Sequence, residues 1–160
     1  MNSANKIIAR ENLPELLQTW HNQNEKVVFT NGCFDLLHLG HIDYLEKASQ
    51  LGTKLIVGVN TDASVSRLKG PSRPLQDELS RTRLMASLLF VDAVVLFDED
   101  TPYELIKQVQ PDVLVKGDDY TIENIVGQDI VLKKGGEVKT IALVKGYSTS
   151  NIVAKILNQS

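Results

Sequence analysis

The segment Thr30 to His41, TNGCFDLLHLGH, follows an apolar run and sets His38 and His41 three residues apart, beside two glycines and an aspartate. Side chains at i and i+3 share a face of a helical turn, so both imidazoles would stand together where a helix begins. Gly40 is bare at that point, which lets backbone N–H groups approach phosphate oxygens, and Gly32 lets the chain turn sharply out of the preceding strand. Imidazole N–H groups donate to phosphate, and a neighbouring polyphosphate raises their pKa by favouring the charged ring. The chemistry that fits is stabilisation of charge building on a phosphoryl group in transfer. A zinc site would need further Cys, His or carboxylate ligands at local spacing, and neither G-x-G-x-x-G nor G-K-[ST] occurs. The remaining histidine, His21, reads as an ordinary polar residue.

The anion such a site would hold also fits the distribution of charge. The formal net charge of -3 argues against general adhesion to nucleic acid or to an anionic membrane, both of which require a cationic face. One segment is nonetheless cationic: Arg67, Lys69, Arg73, Arg81 and Arg83 stand against only Asp77 and Glu78. That suits a small anionic ligand. With Cys33 the single cysteine, no intrachain disulfide is possible, and a reduced compartment is expected. The opening MNSANKIIARENLPELL lacks the apolar core of a signal peptide, and no run approaches the ~20 apolar residues that cross a bilayer. The expected location is the cytoplasm.

The elements that must position these residues alternate between short β-branched runs and longer helical patterns, the mark of βαβ units building a parallel sheet. Strands are expected at 26–32, 54–60, 93–97, 112–117 and 137–143, and their near-continuous apolar character implies burial on both faces. Helices are expected over IDYLEKASQL, with Ile42, Leu45, Ala48 and Leu51 inward, and from near Leu79 through LMASLL. Another should follow TPYE at 101–104, read as a Thr101 cap, a first-turn proline and a capping-box glutamate. An opening helix at Pro14–His21 should pack on the sheet edge. The fold class is therefore α/β, a single-domain open parallel five-stranded sheet with helices on both faces over 26–160, after an N-terminal helical extension at 1–25. The connection RLKGPSRPLQDELSR is long and rich in Gly, Pro and charge, as loops that cover sites often are. In open parallel sheets ligands gather at the carboxyl ends of strands, where the chain offers Asn31–His41, Asn60–Asp62, Lys116–Tyr120 and Gly146–Ser150.

GCFDLLHLGH resembles the G-x-F-D-x-x-H-x-G-H signature of the cytidylyltransferase-like nucleotidyltransferases, whose H-x-G-H element is related to the HIGH motif of class I aminoacyl-tRNA synthetases. VNTDAS, RLKGPSRP, FDEDTP, PDVLVKGDDY, GGEV and YSTSNIV look like the adenylyltransferase domain of ADP-heptose synthase, a likeness covering roughly residues 26–157. The resemblance implies a Rossmann-like, HIGH-type nucleotidyltransferase that transfers AMP from ATP, carrying Mg²⁺, to D-glycero-β-D-manno-heptose 1-phosphate. ADP-heptose for lipopolysaccharide or another glycan would be the product, pyrophosphate the by-product, and a homodimer the assembly. No sugar kinase precedes the domain in this sequence, so the likeness is to the stand-alone form.

By that resemblance, Thr30, Asn31, Gly32, Cys33 and Phe34 present backbone groups to the nucleotide phosphates, with Gly40 beside them. His38 and His41 bind the α- and β-phosphates, Lys69 closes over the triphosphate, and Arg81 contacts the leaving pyrophosphate. Asn60, Asp62 and Gly117 lie beside the nucleotide, although Asn60 and Asp62 also read as turn and cap residues. Ser148 and Thr149 open the last helix and combine capping with ligand contact. Asp35, Asp118 and Asp119 are the substrate-binding carboxylates, with Asp119 the favoured acceptor for sugar hydroxyls. Arg67 and Arg83 read as surface charge, and Arg73 as a loop brace or a phosphate contact. No metal ligands are named, because Mg²⁺ would be held by phosphate oxygens and water. One departure stands out: heptose-specific relatives often have glycine at the position of Asp118, whereas glycerol-phosphate cytidylyltransferases have the GDD form. Transfer of CMP from CTP to glycerol 3-phosphate is therefore an alternative, and a non-catalytic nucleotide-binding module is another.

Overall fold

Five apolar runs form parallel strands in the computed structural model, which describes residues 2–159. They are β1 (Val27–Gly32), β2 (Lys54–Asn60), β3 (Ala93–Phe97), β4 (Val113–Gly117) and β5 (Glu137–Ile141), in the sheet order β3-β2-β1-β4-β5. The helices are α1 (Leu13–Asn22), α2 (Leu39–Ser49), α3 (Asp62–Lys69), α4 (Glu78–Ser87), α5 (Tyr103–Val109), α6 (Gln128–Lys133) and α7 (Thr149–Leu157). The chain builds outward from β1 through β2 to β3, then crosses back to lay β4 and β5 on the other side of β1. The strand order reverses at β1, and the exits of β1 and β4 flank a crevice of the kind that holds ligands in such sheets.

Alternation along the strands sends side chains to two cores. On one face Phe29, Ile56, Val95 and Leu114 meet Leu13 and Trp20 of α1, Leu105 and Ile106 of α5 and Val131 of α6. On the other, Val28, Val57, Val94 and Val115 meet Tyr44, Leu45 and Ala48 of α2 and Met85 and Ala86 of α4. Phe29 is completely buried at the centre of the first core; truncating it to alanine would cost about 3–5 kcal/mol through lost contacts and a cavity. The predicted strands match within two residues, and those of β2 and β3 coincide with the observed bounds.

Several expectations are corrected. α1 lies on a sheet face with α5, because Leu13 and Trp20 bury against Val27 and Phe29; the outer edge, at β3, is touched instead by Ile7, with Ile8 N–H donating to the Val94 carbonyl at 2.9 Å. Residues 7–20 of the expected extension thus pack on the same sheet. β5 is an edge strand exposed at Glu137, Lys139 and Thr140, so burial on both faces does not extend to it. Within the helix expected over IDYLEKASQL, Ile42 and Leu51 are only partly covered, whereas Tyr44 is buried. No side chain caps α5: Pro102, not Thr101, precedes its first turn. The connection after Arg67 is shorter than expected, since α3 continues to Lys69, where Gly70 (φ 97°) ends it, and Asp77 caps α4 by accepting from Ser80 N–H at 2.7 Å. Among the described residues no helix is long and apolar enough to cross a membrane.

Candidate active site

At the carboxyl ends of β1, β2 and β4 a cavity of about 510 Å³ opens, and the turn from β1 into α2 forms its floor. Phe34 takes the left-handed conformation there (φ 50°), rare for a bulky residue and typical of functional turns. The sharp turn expected at Gly32 therefore occurs two residues later. Gly32 has a different reason to be bare: a Cβ there would lie 3.0 Å from two atoms of the Phe34 ring. That ring meets His41 edge-on, with centroids 5.3 Å apart, and His41 in turn stacks on His38 at 3.8 Å and 23°. Gly40 completes the arrangement, since a Cβ at that position would sit 3.0 Å from Cε1 and Nδ1 of His38.

The surroundings of the stacked rings disfavour a charge on either. Burial pushes the pKa of His41 down to about 4, helped by His38 and Lys69; burial also lowers that of His38. The Leu36 backbone pulls His41 the other way, yet without hydrogen-bond geometry at Nδ1, because Nδ1 of both histidines is buried and unpartnered. The rise expected from a polyphosphate is thus the reverse of what the chain alone imposes. Asn31 Oδ1 is a third buried polar atom without a partner. Such orphaned groups cost stability and mark places where function overrides it.

Lys69, the last residue of α3, lines the cavity with its side chain exposed, and no hydrogen bond or ion pair holds it among the described residues. Asn31, Gly32, Cys33, Phe34, Asp35, Gly40, His41, Asn60, Gly117, Asp119 and Thr149 line it as well. Asn60 is fixed by donating from Nδ2 to Ser64 Oγ at 3.0 Å, and Cys33 Sγ–H points at its Oδ1 at 3.8 Å. His38 is not among the residues lining the cavity; its ring stacks on that of His41, which is.

Other expected site residues do different work. Arg81 is fully buried and does not face the cavity. Its Nη1 donates to the carbonyls of Cys33 and Asn60, both at 2.8 Å, its Nε to that of Gln76 at 3.0 Å, and its Nη2 to Asp62 Oδ1 at 2.7 Å. It ties the exits of β1 and β2 to α4, and those bonds leave little with which to grip pyrophosphate. Asp62 is accordingly Arg81's partner; the cap of α3 is Thr61, whose hydroxyl accepts from Ser64 N–H. Asp35 accepts from Leu75 and Gln76 N–H at 2.9 Å and from Arg73 Nη1 at 3.3 Å. Burial opposes its ionisation, but these three donors prevail and lower its pKa. Both oxygens are spent on the Gly70–Asp77 connection, which makes Asp35 a loop anchor with nothing to offer a substrate hydroxyl and Arg73 a brace. Thr30 is buried, its hydroxyl bonded to Tyr44 OH at 2.7 Å. Ser148 caps α7 by accepting from Asn151 N–H, outside the cavity. Asp118 also lies outside it, accepting from Leu143 N–H at 3.2 Å. Arg67 pairs with Asp100 at 2.9 Å and Arg83 Nη2 lies 3.5 Å from Asn2 Oδ1, both on the surface as expected.

Lys116, Tyr44 and Tyr120 also line the cavity; the sequence places Lys116 and Tyr120 in a ligand-gathering strand exit without assigning either a role, and Tyr44 has no place among its site residues. Burial pushes the pKa of Lys116 down to about 8, against the pull of Asp119 and Cys33. The available signal was a lysine at the rim of an otherwise apolar strand, one residue before its terminal glycine.

Comparison with known proteins adds kinship to this geometry. The family model described as Cytidylyltransferase-like matches residues 29–155. The bifunctional protein HldE of Magnetococcus marinus is 54% identical over 156 residues, covering 98% of this chain and 32% of its own length. That of Caulobacter vibrioides is 56% identical over 151 residues, covering 94% and 31%. The chain thus spans about a third of the length of these curated relatives. Among solved structures, the lipopolysaccharide core biosynthesis protein of Thermoplasma volcanium is 35% identical with a TM-score of 0.62, over 78% of this chain and 99% of that one. Pantoate-beta-alanine ligase from Francisella tularensis, at 16% identity and a TM-score of 0.56 over 96% and 80%, shares the fold alone. The family model takes in all five strands except the first two residues of β1, and with it the whole histidine turn and cavity rim; the chain belongs to the Cytidylyltransferase-like family of nucleotidyltransferases.

Proposed function

We propose that the protein transfers AMP from Mg·ATP to D-glycero-β-D-manno-heptose 1-phosphate, forming ADP-heptose and releasing pyrophosphate. The observation that carries this reading is the stacked His38–His41 pair, with unpartnered ring nitrogens, beside a cavity on which the unpaired Lys69 also opens. Its sequence likeness to the ADP-heptose synthase domain and its kinship with a lipopolysaccharide core biosynthesis protein support the sugar.

A phosphate oxygen of the sugar 1-phosphate attacks the α-phosphorus of ATP. The new P–O bond forms as the bond from the α-phosphorus to the α,β-bridging oxygen breaks, and pyrophosphate leaves with that electron pair. A phosphomonoester is already a nucleophile near neutral pH, so no covalent enzyme intermediate and no general base are required. Positioning and charge stabilisation supply the catalysis. His41, supported by His38, donates to the α- and β-phosphate oxygens. The N-terminus of α2 adds its dipole, and Lys69 closes from α3. Asp119 accepts from sugar hydroxyls. Mg²⁺ enters as part of the nucleotide substrate, held by phosphate oxygens and water; among the described residues no three His, Cys, Asp or Glu side chains gather to hold a metal. A homodimer is the proposed assembly.

The alternative, CTP with glycerol 3-phosphate, drew on the GDD form of KGDDY. Asp118 accepts from Leu143 N–H and lies outside the cavity, so it has a use in the fold besides any contact with substrate. Mass spectrometry of products from Mg·ATP or Mg·CTP, each with heptose 1-phosphate or glycerol 3-phosphate, tests both. ADP-heptose is the expected product. CDP-glycerol, or no pyrophosphate from any pair, would overturn the proposal.

A further inference from the structure

Lys116 is the one charged side chain of β4, set between the apolar Val115 and Gly117 and pointing to the rim where β1 and β4 meet. It lines the same cavity as His41 and Lys69. Its ammonium has a single hydrogen bond, a long one of 3.4 Å to the Asn31 carbonyl, and forms no ion pair among the described residues. Tyr120 lies under it, with its ring centroid 5.6 Å from Nζ. Burial weakens its hold on its proton, to a pKa of about 8. A partly buried ammonium with one weak acceptor is costly unless it meets an anion. The reaction proposed above brings two anions together, a triphosphate and a phosphomonoester, and their mutual repulsion has to be offset at both. The histidine pair and Lys69 serve the first. Lys116 is the remaining cation on the cavity wall, and it shares the β4 exit with Asp119, whose carboxylate suits hydroxyls.

Resting on that reading, we propose that Lys116 binds the phosphate of the attacking phosphomonoester, so that Lys116, Asp119 and the face of Tyr120 form the sugar-phosphate subsite. Lys116 holds the nucleophilic phosphate against the triphosphate and is a specificity determinant for a phosphorylated acceptor over a free sugar.

Two measurements on the full chain test this. In steady-state pyrophosphate release, Lys116→Met is expected to raise KM for heptose 1-phosphate by about tenfold or more, the scale of a lost charge-assisted hydrogen bond, while KM for ATP stays within about twofold. Lys116→Arg should recover part of the loss. An unchanged KM for the sugar phosphate, or a KM for ATP that rises in step with it, would overturn the assignment. The second measurement does not depend on the identity of the sugar. Inorganic phosphate is titrated calorimetrically into protein saturated with a Mg·α,β-methylene ATP analogue, and Lys116→Met should weaken its binding by about tenfold. Equal affinity in the two proteins, or no phosphate binding by the wild type, would refute the subsite. If the wild type releases no pyrophosphate with heptose 1-phosphate yet binds phosphate through Lys116, the sugar reading fails and the subsite stands.

Discussion

A β-carbon on Gly40 would stand 3.0 Å from Nδ1 of His38, so the bare position in H-x-G-H seats the His38 ring against that of His41. Gly40→Ala should therefore damage catalysis without damaging the fold. Alanine favours a helix by up to about 1 kcal/mol over glycine, whereas displacement of a catalytic ring by a fraction of an ångström to one ångström costs up to about 10²-fold in rate. The expected outcome is a loss of kcat in pyrophosphate release with an unchanged or higher Tm. A variant of normal kcat would show that the stack tolerates the shift.

His41→Ala should lower kcat on the order of 10²-fold, the usual cost of a lost preorganised donor, and His38→Ala, which removes the ring that His41 stacks on, should lower it as well. His41 adds a stability signature. Its folded pKa, about 4, lies below the ordinary value of 6.5, so the unfolded chain binds the proton more readily. The neutral ring's contribution is complete above about pH 6.5 and is lost as pH falls toward 4. Urea unfolding across this window should show a smaller decline in His41→Ala than in the wild type; parallel curves would contradict the burial argument.

Arg81→Met should lower unfolding free energy by about 3 kcal/mol, since it strands the carbonyls of Cys33, Asn60 and Gln76 and unpairs Asp62. Had Arg81 been a pyrophosphate contact, the same change would depress kcat and leave the denaturation midpoint in place. Chemical denaturation alongside kinetics separates the two roles.

Asp35→Asn replaces an acceptor of two backbone N–H bonds with a group that carries its own donors, which should free the Gly70–Asp77 connection. Tryptic cleavage after Lys69 should accelerate by about tenfold as local opening becomes cheaper, and KM for ATP should rise because Lys69 loses its support. An unchanged cleavage rate would place the anchor elsewhere.

The legible features were those written in local pattern. Apolar runs located the strands because buried parallel strands have little else to be made of, and the histidine spacing exposed the site because its chemistry lies within one turn. What escaped depended on partners far apart in the chain. Arg81 looks cationic and mobile in sequence; only the folded β1 and β2 exits supply the carbonyls that absorb it. Asp35 falls inside the motif, yet its ligands lie at residues 73–76, some 40 positions away. Lys116 falls in a strand exit that the sequence marks as ligand-gathering, but its lack of an ion pair among the described residues appears only once the cavity walls surround it. The turn at Phe34 was assigned to Gly32 because glycine is the default for positive φ, whereas that glycine makes room for a ring.

Every segment lining the large cavity leaves a strand at the same rim or reaches over it, while the short links entering the strands, at 50–53, 88–92, 110–112 and 134–136, contribute nothing to it. The molecule has a working end and a carpentry end. Evolution, or an engineer splicing on a second module, has free room at the carpentry end, and there the chain could be opened, lengthened or joined to another polypeptide with the chemistry undisturbed.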